Sequence, residues 1–300
     1  FEHRIMEELY GKEISDILAL VEIYELDDEL RRIKESKHPE DSKLLLNLKY
    51  RNPDEGVTDI AYVKGSWFLK SLEAEVGRKN FDLFLTNYFS TYKFSTISTE
   101  EFIKYLNKNL LNGSKSSINV DEWINKEGLP TNKVEIVSER LNVMRNLAES
   151  FGAGKDVFAP KITYRKEKLK EKVRKRKIIE QLKKEDFITQ EWQMFIRYLP
   201  GTITVDKLEL LDKYFSFNNT QNAEIALDWF SLCINAGYDE ILPYVERFLK
   251  KVGRRKFVLP IYELLNDQSK YKNFAKSVFS SQKLYYHAVT RNSVEKLLQN

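Results

Sequence analysis

The stretch Asp59-Ile60-Ala61-Tyr62-Val63-Lys64-Gly65-Ser66-Trp67-Phe68-Leu69-Lys70-Ser71-Leu72 opens a helix that the sequence carries to about Val76. Gly77 is placed to stop it, because glycine takes the left-handed conformation just past a helix end without Cβ strain. The turn former Asn52-Pro53-Asp54 precedes it, and before that Lys43-Leu44-Leu45-Leu46-Asn47-Leu48-Lys49-Tyr50 reads as a short extended segment. Upstream again, from Glu2 to Ser36, apolar residues recur at three and four (Ile5, Leu9, Ile14, Ile17, Leu18, Val21), the period of one helix face.

Downstream the pattern continues. A helix is expected from about Asn80 to Tyr92. Ser98-Thr99-Glu100-Glu101 spells a capping box that opens another helix through Leu110. Asp121 is placed to cap a short helix around Trp123, which Gly128-Leu129-Pro130 ends. The first domain is set at 1–130, a linker at 131–160 on the strength of Gly152 and Gly154, and a second domain at 161–300. There, amphipathic segments at about Thr189–Leu199, Thr204–Phe215, Ala223–Ala236, Asp239–Val252, Val258–Leu265, Lys270–Gln282 and Val289–Leu298 follow one another with short breaks. Helices in such succession, without strands, read as an all-α fold whose C-terminal part is a helical-repeat layer.

With 300 residues, 31% charged and 42% hydrophobic, the chain is long enough for two compact domains. Its net charge of +4 hides a concentration of positive charge between Lys161 and Lys184, where twelve Lys or Arg stand against three Glu. That run is expected to be a solvated helix. Its one aromatic residue, Tyr164, is poor provision for stacking on bases, so no nucleic-acid partner is expected. No apolar stretch approaches the ~20 residues of a membrane span. Cys233 is the only cysteine, and its neighbours Phe230, Leu232 and Ile234 are those of a small buried residue. Among His3, His38 and His287 no two lie four apart, so a helix carrying two zinc ligands at i and i+4 is absent. Gly152-Ala153-Gly154-Lys155 lacks the spacing of a phosphate loop. Asp27-Asp28 and Glu100-Glu101 read as helix-end charges.

Four blocks then carry a resemblance. Phe1-Glu2-His3-Arg4, Thr58-Asp59-Ile60-Ala61-Tyr62-Val63-Lys64-Gly65 with Asn52-Pro53-Asp54-Glu55-Gly56 before it, Gly253-Arg254-Arg255-Lys256-Phe257-Val258-Leu259-Pro260, and His287-Ala288-Val289-Thr290-Arg291 occur in one order along nearly the whole chain. Together they resemble the C-terminal half of the gluzincin zinc aminopeptidases, in the subgroup of leukotriene hydrolase and its bacterial relatives. Ala288 stands where the family has proline. The resemblance implies a helical lobe of a thermolysin-like catalytic domain followed by an armadillo- or HEAT-like helical domain. It implies a zinc site formed by residues upstream of this chain, with none of its ligands here. A chain starting at Phe1, inside a helical pattern, is expected to be a cut piece of that protein, inactive alone.

The same resemblance assigns roles. Tyr62 would donate its phenol hydroxyl to the oxyanion that forms during peptide hydrolysis. Arg254 and Lys256 would clamp the C-terminal carboxylate of a short peptide, a task that suits a planar guanidinium beside a point charge. Asp54 would sit at the inner end of the substrate tunnel. Val57 stands near a place where leukotriene hydrolase carries a tyrosine of its lipid pocket, so peptide hydrolysis is expected rather than leukotriene hydrolysis. Short peptides and the upstream catalytic half are the expected partners, with no membrane partner and a soluble, cytoplasmic setting. The rival expectation is a helical-repeat scaffold that binds peptides or proteins without chemistry.

Overall fold

The computed structural model describes residues 1–51, 58–112, 116–159, 161–169, 172–180, 183 and 186–299. They form two compact units, Phe1–Val137 and Ser138–Asn300.

In the first unit, α1 (Glu2–Tyr10) and α2 (Lys12–Lys34) pack on each other, and a short 3-10 turn covers Pro39–Ser42. The helix expected from Asp59 begins as a π-turn at Ile60–Lys64 and continues as α3 (Gly65–Val76). Gly77 ends it with φ 80°, its N–H donating to Glu73 O at 2.8 Å. An added Cβ there would meet nothing within 4 Å, so the backbone angle alone accounts for glycine. Next come α4 (Arg78–Tyr92), α5 (Thr99–Asn109) and α6 (Val120–Asn125). The capping box forms in both directions: Ser98 Oγ accepts the Glu101 N–H, and the Glu101 carboxylate accepts the Ser98 N–H at 2.9 Å. The cap of α6 is Asn119, not Asp121; Asn119 accepts the Glu122 N–H, while Asp121 lies in the first turn and accepts from Asn125. Both residues suit a cap, and only the backbone path selects between them. Trp67 and Trp123 are buried to 2% or less in the core of this unit, with Leu26, Ile60, Leu72 and Leu106.

The second unit begins inside the expected linker. Residues 139–152 form α7 (Glu139–Gly152), capped by Ser138, and Met144, Ala148 and Phe151 join the second core. Their spacing of four and three is an ordinary helical stripe. Gly152 serves packing: a Cβ there would stand 2.8 Å from Pro200 Cδ. The basic run is a β-hairpin, not a solvated helix. Strands β1 (Lys161–Leu169) and β2 (Lys172–Glu180) pair antiparallel, Lys161 opposite Glu180 and Leu169 opposite Lys172. Ile162, Thr163, Tyr164, Val173, Ile178 and Ile179 are strand formers.

Apart from this hairpin, the described unit is helical: α8 (Thr189–Tyr198), α9 (Val205–Phe215), α10 (Ala223–Asn235), α11 (Leu242–Lys251), α12 (Arg255–Asp267), α13 (Lys272–Gln282) and α14 (Ala288–Gln299). Helix α10 packs on α8 and α12, and α12 on α13 and α14, as a helical-repeat arrangement requires. Trp192, Trp229, Cys233 and Tyr262 are buried at the centre.

Candidate functional site

Periodicity divides the helix that begins at Ile60 into two faces. Ile60, Lys64, Trp67, Phe68, Ser71 and Leu72 point inward and are buried. Tyr62, Ser66, Leu69, Lys70 and Glu73 share the other side and line a cavity of about 600 Å³. The rest of the wall is mostly apolar, with Phe1, Leu44, Ile97, Phe102 and Ile124, and His3 and Arg4 add polar groups. A concave, largely apolar space with a few fixed polar groups is the usual form of a small-ligand site. Tyr62 is 71% exposed, so its hydroxyl is presented rather than packed away. It lies within the π-turn, a local widening that recurs at functional positions.

The polar wall is held by its own pairs. Arg4 donates to Glu73 from Nε at 3.2 Å and also bonds Asp82. His3 is buried, with Nε2 3.1 Å from Glu22 Oε2 and its carbonyl accepting the Ser15 hydroxyl. Burial lowers the pKa of Lys70, against the nearby Asp16, Glu73, Glu22 and Glu7.

On the inward face Lys64 is fully buried, and its Nζ donates to Ser42 O at 2.9 Å and Lys126 O at 2.8 Å. Burial pulls its pKa down to about 8, with Lys43 assisting and Glu127 opposing. This lysine ties the helix that carries Tyr62 to the end of the Pro39–Ser42 turn and to the C-cap of α6, a role not read from the sequence. Its position four after Ile60 and three before Trp67, on the apolar stripe, was the available signal.

In the second unit, Arg254 caps α12 and Lys256 stands in its first turn. Cations at that end oppose the helix dipole, so helix-end stabilisation accounts for Lys250 and Lys251 at the end of α11 but not for this group. The Arg254 guanidinium lies 5.8 Å and the Lys256 ammonium 5.6 Å from the centre of the Phe257 ring, so both cations lie against the same aromatic side chain. Lys256 Nζ also donates to Glu224 at 2.9 and 3.0 Å. The turn before Arg254 is braced by the fourth sequence block: buried Thr290 donates its hydroxyl to Gly253 O at 3.1 Å. Ala288 is the first residue of α14, a helix position that also accepts proline. His287 Nδ1 accepts the Val289 N–H at 3.3 Å, a capping contact.

Of the expected site residues, then, Tyr62 belongs to the first unit and Arg254 and Lys256 to the second. Asp54 and Val57 lie outside the described residues. Among the described residues no group of three or more His, Cys, Asp or Glu converges as a metal site, so the residues present do not fit zinc. No described helix is long and apolar enough to cross a membrane.

Residues 1–126 match the family model of the peptidase family M1 domain, and residues 187–298 match that of the C-terminal domain of leukotriene A4 hydrolase. A leucine aminopeptidase 2 of Aspergillus niger is 26% identical over 306 residues, covering 98% of this chain and 46% of its own length. A leukotriene A-4 hydrolase homolog of Botryotinia fuckeliana is also 26% identical, covering 99% of this chain and 43% of its own length. The chain therefore spans less than half the length of these relatives. The structure of yeast LTA4 hydrolase in complex with bestatin superposes with a TM-score of 0.78 at 21% identity, over 100% of this chain and 48% of that one. Native LTA4 hydrolase from Saccharomyces cerevisiae gives 0.71 at 22% identity. These two show a shared fold.

Proposed function

We propose that this chain, the C-terminal part of a gluzincin peptidase of the leukotriene A4 hydrolase type, completes the active site of a zinc aminopeptidase acting on short peptides. The carrying observation is Tyr62, whose exposed ring lines the large cavity on the segment matched by the M1 peptidase family. Zinc would be held by residues outside this chain. Within the chain, Tyr62 donates its O–H to the carbonyl oxygen as that oxygen takes on negative charge, lowering the barrier to peptide cleavage. Arg254 and Lys256 hold the peptide's C-terminal carboxylate; Asp54, to which the resemblance gives a pocket role, lies outside the described residues. Thr290 positions the Arg254 turn through Gly253.

The partner of the first unit is the preceding part of the same protein. Phe1, Ile5 and Leu9 repeat at four-residue spacing along α1 and are 71%, 54% and 67% exposed, a stripe that an adjoining segment would cover. On its own, the chain is expected to cleave no peptide.

In the complete protein, Tyr62→Phe deletes one donor and leaves the ring. It should lower kcat by about 10²–10³, the cost of losing one oxyanion donor, while bound zinc is unchanged. Turnover near the wild-type value would remove Tyr62 from the chemistry.

A further inference from the structure

Helix α12 concentrates Arg254, Arg255 and Lys256 at its N-terminal end, where the helix already carries partial positive charge. One carboxylate answers this concentration directly. Glu224, in the first turn of α10, brings both its oxygens to Lys256 Nζ, at 2.9 and 3.0 Å. Its backbone is fixed by Asn222, whose side chain accepts the Glu224 N–H at 3.0 Å. Both side chains are partly open to solvent, 31% for Glu224 and 38% for Lys256, so an incoming anion can reach the pair.

We propose that Glu224 is a built-in competitor of the substrate's carboxylate, occupying Lys256 and setting how strongly the protein prefers peptides with a free C-terminus. This rests on Arg254 and Lys256 being the carboxylate clamp. When a peptide's carboxylate arrives, Arg254 offers its planar fork, while Lys256 must share its ammonium with Glu224 or release it. The negative charge of Glu224 also lowers the potential felt by the substrate. The consequence is a moderated clamp: peptides and their cleavage products bind through Arg254, and Lys256 contributes less than its charge would suggest. Neutralising Glu224 should strengthen the hold on a free carboxylate and leave a C-terminal amide unaffected.

The test uses the complete protein, with binding of a tripeptide and of its C-terminal amide measured by calorimetry in the presence of a metal chelator, so that nothing turns over. Glu224→Gln should raise the preference for acid over amide about two- to fivefold, the range of one partly exposed ion pair. Lys256→Met in the same background should abolish that gain. Arg254→Ala separates the two levels of the argument. If it leaves the acid-to-amide ratio unchanged, the clamp is wrong and this proposal falls with it. If Arg254→Ala lowers the ratio but Glu224→Gln leaves it unchanged or lowers it, the clamp stands and Glu224 is a positioning residue, not a competitor. Should Glu224→Gln misfold, Glu224→Asp withdraws the carboxylate by one methylene, and the same rise, smaller, is required.

Discussion

Replacing Lys64 by Met tests the bracket that holds the Tyr62 helix. Methionine fills much of the same space but donates nothing, so Ser42 O and Lys126 O lose the ammonium that reaches them at 2.9 and 2.8 Å. Each buried carbonyl left without its donor costs about 1–3 kcal/mol, a gross loss of about 2–6 kcal/mol. Against this, burying the ammonium is itself unfavourable, as its lowered pKa of about 8 shows. From the ordinary value near 10.5, that shift is worth about 3 kcal/mol when the group is charged in both states. At pH 7 the two terms largely offset, and the variant should lose at most about 3 kcal/mol. At pH 10 they do not. The unfolded chain keeps its proton up to about 10.5 while the folded one releases it near 8, so the unfolded state binds more protons and wild-type stability rises with pH across that window. Between pH 7 and pH 10 the gain from this residue is about 2.5 kcal/mol, and the variant lacks it. Urea unfolding of both proteins at the two pH values, followed by circular dichroism and tryptophan fluorescence, measures the difference. The transition of the second unit, which holds no part of the bracket, is the internal control. Parallel pH profiles for wild type and Lys64→Met in the first unit would refute the reasoning.

Other outcomes follow from single contacts. Cys233 is fully buried and burial raises its pKa well above the ordinary thiol value, so a thiol reagent at pH 8 should leave it untouched until denaturant is added. Ser98→Ala removes one half of a formed capping box and should destabilise the first unit by about 1 kcal/mol, read as a lower urea midpoint. Thr290→Val leaves Gly253 O without its side-chain donor. It should weaken binding of a free-acid tripeptide more than that of its amide, at a stability cost of about 1 kcal/mol; equal weakening would separate Thr290 from the Arg254 turn.

The helical character of both units was legible because apolar residues at three- and four-residue spacing state which face is buried whatever lies opposite. That held for α3, α5 and most of α8 to α14, where stop and start residues such as Gly77 and Ser98 do local work. It failed where local signals conflict. The glycines at 152 and 154 read as linker, although Gly152 exists to let Pro200 approach. The basic run read as helix because charge runs usually are, while its β-branched residues were the better guide.

What the sequence by itself determined is most of the helices and the lack of two histidines at i and i+4, while the resemblance of its motifs singled out Tyr62, Arg254 and Lys256. These depend on neighbours a few residues away, or on motifs intact in the chain. Only the tertiary structure decided that Tyr62 faces a cavity while Lys64, two residues on, is sealed against two carbonyls. It also decided that Lys256 is shared with Glu224, thirty-two residues earlier, and that Thr290 braces Gly253 from thirty-seven residues away. Such contacts join residues brought together by helix packing, and packing is a property of the whole core that no local pattern encodes.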